Sequence, residues 1–191
     1  MTAEPMGEIV WRPDPVKQRR AGYRIEDVLN LPDDAPRVEL SDGVVSVVPS
    51  PSGAHQKINW RLVAWLDRHL PAGYEPQLAV GVVVDHRRTL EPDALVLHGP
   101  VDLEHHFYDA EQVVIAIEIV SPGTRKRDRL QKPSLYAAAG VPHYWRIEQD
   151  PVHVYAYDLV DGVYQLVADS ADRLVLTAPF DIDLPIGDIT P

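Results

Sequence analysis

Two carboxylates and one lysine are spaced along the chain in a way that suits chemistry on a phosphate group. Asp93 follows Pro92, which holds the chain extended there, and Glu118 interrupts an apolar run 25 residues later. A carboxylate in such a run is costly to bury unless a cation or a hydrogen-bond donor meets it. Lys132 lies on the predicted helix that follows. Hard cations such as Mg²⁺ take oxygen ligands, and a neighbouring lysine can orient a water molecule or offset charge on a phosphate.

The spacing within that helix supports the same grouping. Asp128, Lys132 and Tyr136 are four residues apart, so they share one helix face, which can point back toward Glu118. Each residue also has a purely structural interpretation: Asp93 starting a strand, Lys132 pairing with Asp128 on the surface, and Glu118 pairing with Arg125 or Arg127.

The elements that must position these side chains alternate between helical and extended patterns. Residues 24–31 and the apolar series beginning at Ile58 and ending at Leu70 predict helices, and Asp42-Gly43 predicts a tight turn between strands 37–41 and 44–48. We further expect strands at 78–84, 92–97 and 112–120, a polar loop at 98–111, a helix at 124–139, and strands at 143–147, 152–157, 163–168 and 174–176.

These elements predict one α/β (mixed α+β) domain over residues 23–191, with a central mixed sheet flanked by helices and extra antiparallel strands at the carboxyl end. Residues 1–22 mix proline, glycine and both signs of charge, and we expect an amino-terminal arm there that docks on a partner subunit.

Composition excludes several classes of protein. The chain has 191 residues and no cysteine, which excludes disulfides, thiolate metal sites and cysteine nucleophiles. No apolar run approaches the roughly 18 residues that cross a bilayer, and the amino terminus lacks a signal pattern. We therefore expect a cytoplasmic protein without membrane contact. The net charge of −11 argues against a protein whose main function is non-specific binding of nucleic acid.

Several motifs together resemble the bacterial Uma-type family, once called a domain of unknown function and assigned to the restriction endonucleases of the PD-(D/E)XK superfamily. The resemblance covers roughly residues 23–185. Its most specific part is Glu-x-x-Ser-Pro from Glu118, then Asp-x-x-x-Lys-x-x-x-Tyr and Gly-Val-Pro-x-Tyr-Trp. The other matching stretches are Tyr23–Asp27, Val38–Gly43, Pro49–Gln56 and Glu91–Asp93.

The resemblance implies a restriction-endonuclease-like fold and a role for each matching residue. Asp93 and Glu118 would hold Mg²⁺, for which Mn²⁺ could substitute, with help from the carbonyl of Ile119. Glu39 would complete the metal site or position a water molecule. Val120 stands where the standard motif has its lysine, and Lys132 is the natural replacement. The predicted catalytic residues are thus Asp93, Glu118, Lys132 and Glu39, and the predicted metal ligands are Asp93, Glu118, Ile119 and Glu39.

Further residues are candidates for contacting substrate. His55, at the start of the first long helix, could contact a phosphate or a metal-bound water, or it could make only a local hydrogen bond. A basic run beside the proposed ligands is either a solvated helix face or a contact for an anion; because it is unfavourable for the dipole of its own helix, an anionic partner is the more economical explanation. This run comprises Arg125, Lys126, Arg127 and Arg129. His105-His106 lacks the one-face spacing of a zinc pair, and Ser121 before Pro122 suits turn or cap chemistry.

The leading interpretation is an Mg²⁺-dependent endonuclease in which an activated water attacks a phosphodiester of DNA. A homodimer would place two such sites on the two strands of a duplex. The alternative is a catalytically inactive nuclease-fold module that binds or assists within a mobile element or defence system. RNA or small phosphoesters as substrates would use the same site.

The distribution of charge reconciles the acidic total with a nucleic-acid substrate. Residues 148–191 hold nine acidic residues and one basic residue, whereas residues 1–147 hold 20 acidic and 17 basic residues. Most of the negative charge therefore lies on the predicted carboxyl-terminal strands, and the local basic edge around residues 125–132 stays available for DNA.

Overall fold

A six-stranded mixed sheet forms the centre of the molecule in a computed structural model that describes residues 11–32, 34–121, 123, 125 and 127–191. The helices are α1 Pro15–Arg20, α2 Ile25–Leu29, α3 Gly53–His69, α4 Lys132–Ala138 and α5 Ile186–Ile189. The strands are β1 Val38–Ser41, β2 Val44–Val47, β3 Tyr74–Leu78, β4 Gly81–Asp85, β5 Arg88–Leu90, β6 Ala94–His98, β7 Phe107–Asp109, β8 Val113–Ile119, β9 His143–Gln149, β10 Val152–Val160, β11 Val163–Ser170, β12 Arg173–Leu176 and β13 Ile182–Pro185.

The central sheet has the strand order β11-β10-β9-β8-β6-β3, in which β8 and β9 are parallel and the other pairs are antiparallel. Three small sheets, β1-β2, β12-β13 and β5-β4-β7, surround it. This arrangement confirms the predicted mixed sheet with helices against it and with antiparallel strands at the carboxyl end.

The two faces of β8 point to different helices because successive side chains of a strand alternate. Ile115, Ile117 and Ile119 pack with α3, whose apolar residues recur at helical spacing. Ala116 belongs to the cluster on the opposite face, where Tyr136 of α4 is buried. Glu118 follows Ala116 by two residues, so the alternation directs its carboxylate toward α4.

Helix α3 starts earlier than its apolar pattern indicates. It begins at Gly53, and Ser52 caps it by accepting a hydrogen bond from the backbone N–H of His55 at 3.3 Å. Ile58 and Leu62 are fully buried against the sheet. Burial of each such side chain contributes roughly 1.5–3 kcal/mol, which fixes the helix and therefore the position of His55.

The predicted strand 78–84 is in fact two strands in different sheets. Ala79 adopts a φ of 53°, which ends β3, and its N–H donates to the carbonyl of Asp93 at 3.2 Å. A residue with positive φ cannot continue a strand, and the apolar pattern did not reveal it. The loop predicted at 98–111 likewise contains β7, which pairs in parallel with β4.

The helix predicted from residue 124 differs in its first part. Its regular α-helical section, α4, begins only at Lys132, and Arg127–Gln131 form a wider π-helical segment before it. The strands β5 and β13 and the helix α5 carried too few residues to be recognised from their pattern. Segments with the wide π-helical turns of Arg127–Gln131 often occur at functional sites, because these turns rotate the side chains that follow.

Part of the predicted arm folds onto its own chain. Asp14 caps α1, and the backbone N–H of Asp14 donates to the hydroxyl of Tyr23 at 2.7 Å. The side-chain carbonyl of Gln18 accepts a hydrogen bond from the N–H of Val45 in the hairpin. Docking on a partner subunit stays a prediction. In the described part of the chain, no helix is long and apolar enough to cross a membrane.

Candidate active site

The carboxylates of Asp93 and Glu118 come from neighbouring strands of the central sheet. Asp93 immediately precedes β6, and its N–H donates to the carbonyl of Ile117 on β8 at 3.1 Å. The Oδ2 atom of Asp93 in turn accepts a hydrogen bond from the N–H of Ile119 at 2.7 Å. Strand pairing thus places Asp93 beside the end of β8, within one residue of Glu118.

Glu118 is almost inaccessible to solvent and is satisfied by two side chains of α4. Its side chain is 1% exposed, and its Oε2 atom lies 2.7 Å from the Nζ atom of Lys132. Its Oε1 atom accepts a hydrogen bond from the hydroxyl of Tyr136 at 2.8 Å. Burial, and then the adjacent carboxylate, raise the pKa of Tyr136 well above its usual value, so the hydroxyl keeps its proton and donates.

Lys132 points into the protein. Its side chain is only 7% exposed, and its Nζ atom lies 3.6 Å from Glu39 Oε1 and 3.4 Å from the carbonyl of Glu91. The ammonium therefore lies between the carboxylates of Glu39 and Glu118, which one positive charge can stabilise together. The sequence interpretation in which Lys132 is a surface residue is wrong, because the side chain is buried.

Glu39 and Glu91 extend the network of buried polar groups beyond Lys132. Glu39 accepts a hydrogen bond from the N–H of Glu91 at 3.2 Å and pairs through its other oxygen with Arg127. The carboxylate of Glu91 binds the Nε atom of Arg37 at 2.6 Å. Burial raises the pKa of Glu91 more than that guanidinium lowers it. No local pattern pointed to Arg37, because its partner is 54 residues away.

His55 reaches across to the sheet instead of making a local side-chain bond. Its Nε2 atom lies 3.1 Å from Asp93 Oδ2 and 3.1 Å from the carbonyl oxygen of Ile119. One turn later on α3, Asn59 donates from Nδ2 to the carbonyl of Asp93 at 2.8 Å. The sequence interpretation did not include Asn59, although its position four residues after His55 put it on the same helix face.

The basic run is partly neutralised within the protein. Arg127 is paired with Glu39, and Arg129 binds Glu148 with its Nε atom at 2.9 Å. Arg125 is exposed, and Lys126 lies outside the described residues. Among the described residues of the run, binding of an anion would therefore depend on Arg125 or on exchange of existing ion pairs.

The oxygens around Asp93 suit a hard divalent cation by type, and their placement suits it in part. Asp93 retains 20% of its side-chain exposure, and its Oδ2 atom and the carbonyl of Ile119 both face the nitrogen of His55. The other ring nitrogen of His55, Nδ1, is buried and has no hydrogen bond in the described part of the protein. Within the same part, no group of three or more histidine, aspartate or glutamate residues is arranged to hold a metal ion. The carboxylate of Asp93 and the carbonyl of Ile119 thus fit such an ion, and the carboxylate of Glu118, whose oxygens already accept from Lys132 and Tyr136, fits it by type.

The mixed α+β fold is shared with a protein of solved structure. A crystal structure described as a "putative nuclease belonging to DUF820" from Anabaena variabilis superimposes with a TM-score of 0.69 at 21% identity, covering 87% of this chain and 96% of that one. The model of the family Uma2, described as "putative restriction endonuclease", matches residues 25–187. The chain therefore belongs to the Uma2 family, as its motifs indicated. No curated protein matches it.

Proposed function

We propose that the protein is a metal-dependent nuclease that hydrolyses phosphodiester bonds of DNA. The observation that carries the proposal is the buried ion pair of Lys132 with Glu118, directly beside Asp93 at the start of the adjacent strand. Burying a carboxylate and an ammonium costs desolvation free energy, and the ion pair alone often does not recover that cost. Their burial next to the accessible carboxylate of Asp93 therefore favours a chemical role. Membership of the Uma2 family and the nuclease fold support it.

In this proposal Asp93, Glu118 and the carbonyl of Ile119 hold the cation, Mg²⁺ or Mn²⁺. When bound, the cation supplies positive charge that makes a water molecule more acidic and offsets the charge of the phosphate. Lys132 adds a second positive charge at the same place, and Tyr136 keeps the Glu118 carboxylate oriented. Glu39 forms ion pairs with Lys132 and Arg127, and these ion pairs position both cationic side chains.

The substrate would approach over the exposed side of Asp93 and the edge around residues 125–129. Arg125 is exposed there, and a phosphate could replace Glu148 as the partner of Arg129. Since the carboxyl-terminal strands are acidic, contact with DNA would be confined to this edge and would weaken steeply with salt. Two copies of the chain would cut both strands of a duplex.

A cleavage assay tests the proposal. The full chain is incubated with supercoiled, linear duplex and single-stranded DNA in Mg²⁺ or Mn²⁺, beside Asp93→Ala and Lys132→Met. The matched control is Asp67→Ala, which removes an exposed aspartate of α3. We expect cleavage by the wild type and Asp67→Ala and a loss of at least about 100-fold in the other two variants. Cleavage that survives Asp93→Ala would refute the assignment.

A second candidate function is a nuclease-fold module that binds a partner without turnover. Both oxygens of Glu118 already accept hydrogen bonds, and no three metal-binding side chains converge among the described residues. This candidate predicts DNA binding that does not respond to Mg²⁺ or Mn²⁺ and no cleavage of any substrate. Calorimetric titration with Mn²⁺ separates the two functions, because only the nuclease takes up the metal in an Asp93-dependent manner.

A further inference from the structure

The contacts of His55 define the position of its proton. Asp93 Oδ2 and the carbonyl oxygen of Ile119 both lie 3.1 Å from its Nε2 atom, and both are acceptors at this place. Nε2 must therefore carry a hydrogen in the metal-free protein, and in the neutral ring Nδ1 is then a bare acceptor. The imidazole is 5% exposed, so this arrangement is held by the fold.

Two buried acceptors on α3 are left without donors by that arrangement. Nδ1 of His55 and Oδ1 of Asn59 have no hydrogen-bond partner among the described residues. They lie one turn apart on the same face of the helix. Buried polar atoms without partners are rare and costly. The two atoms do not bond each other as they stand, so a hydrogen on Nδ1 would serve the pair through one water molecule that accepts it and donates to Oδ1.

Moving the hydrogen to Nδ1 exposes a lone pair on Nε2. That lone pair, Asp93 Oδ2 and the carbonyl oxygen of Ile119 would then face one another, and only a cation between them would make the arrangement favourable. Neighbouring ligands of an octahedral ion with bonds of 2.0–2.2 Å are about 3 Å apart, which matches the two 3.1 Å separations. Imidazole ligands of metals commonly donate their other N–H to a carboxylate, a backbone carbonyl or a water molecule, and here a water bonded to Asn59 Oδ1 would take that hydrogen.

We propose that His55 is a direct ligand of the divalent cation through Nε2, with Asn59 as the positioning residue for its Nδ1 hydrogen. His55 thus belongs to the metal site and not to the phosphate contacts. The inference rests on the proposed function, since it concerns the same cation. It makes the site one of mixed nitrogen and oxygen ligands, which favours ions such as Mn²⁺ and Co²⁺ over Mg²⁺.

Pulsed electron paramagnetic resonance of Mn²⁺ bound to the full chain tests this directly, because it detects nitrogen bonded to the metal. We expect a ¹⁴N coupling in the wild type that changes to a ¹⁵N coupling in protein labelled with ¹⁵N-histidine, which needs no substitution. The coupling should disappear in His55→Ala. It should persist in the control His69→Ala, which removes a histidine from the other end of the same helix. Mn²⁺ affinity should fall at least about 10-fold in His55→Ala.

The outcomes separate this inference from the function on which it rests. Bound Mn²⁺ that depends on Asp93 but shows no nitrogen coupling overturns the role of His55 and leaves the nuclease proposal intact. The same holds for a ¹⁴N coupling that persists in the ¹⁵N-labelled protein. Failure of the wild type to bind Mn²⁺ at all removes the metal site itself, and both proposals fall together.

Discussion

Replacement of Lys132 by methionine isolates the energy of the buried charge network. The methionine keeps most of the apolar stem and removes only the ammonium, which lies 2.7 Å from Glu118 and 3.6 Å from Glu39. The side chains of these partners are 1% and 3% exposed. The substitution therefore leaves two carboxylates with little access to water and one fewer positive charge.

The magnitude follows from the burial. Removing one partner of a buried ion pair typically costs 3–5 kcal/mol, so we expect Lys132→Met to lose about 3–5 kcal/mol of unfolding free energy. Adding Glu118→Gln removes one of the two carboxylate charges that the ammonium had balanced, and the neutral amide still accepts the hydrogen bond of Tyr136. The double variant should therefore be more stable than Lys132→Met by about 1–3 kcal/mol.

Urea denaturation followed by circular dichroism measures all four free energies of the double-mutant cycle. Lys57→Met serves as the control, because Lys57 is exposed on α3 and its loss should change stability by no more than about 0.5 kcal/mol. A cost below about 1 kcal/mol for Lys132→Met, as for a surface pair, would refute the reasoning. Strict additivity of the two substitutions would refute it as well.

Three further predictions concern the hydroxyl of Tyr136, the carboxyl of Glu91 and the backbone at Ala79. Tyr136→Phe should cost about 1.5–3 kcal/mol of unfolding free energy, since its hydroxyl donates to the carboxylate of Glu118. Tyr164→Phe, which loses a bond to a neutral carbonyl, should cost only about 0.5–1.5 kcal/mol in the same denaturation assay, and equal costs would contradict this. Burial raises the pKa of Glu91 above its usual 4.5. The stability that its protonated form contributes is present below that value and is lost as pH rises through the raised pKa, so Glu91→Gln should flatten the fall of stability with pH. Urea midpoints of the wild type and Glu91→Gln, measured from about pH 4 to about pH 8, give this slope, and parallel curves for the two proteins would refute the prediction. Ala79→Gly should raise the melting temperature slightly, with a gain of up to about 1 kcal/mol, because glycine, unlike alanine, adopts a φ of 53° without strain. A lower melting temperature would show that Ala79 is not strained.

Local patterns identified most of the framework. The apolar spacing of α3 and the Asp42-Gly43 turn depend only on neighbouring residues, and both form as predicted, with φ values of 50° and 88° at the turn. The apolar run of β8 marked Glu118 as a carboxylate that needs a partner. What these patterns missed were short elements such as β5 and the break at Ala79, where a single backbone angle outweighs the apolar pattern.

The sequence by itself determined the types of groups in the site, the family and the strands and helices that carry them. Only the tertiary structure decided which groups meet. Glu118 binds Lys132 and Tyr136 because β8 turns that side chain toward α4. His55 meets the carbonyl of Ile119, 64 residues away, because α3 packs on the opposite face of the same sheet. Periodicity reports the burial of a face, whereas contacts between distant residues depend on strand order and helix position, which no local pattern contains.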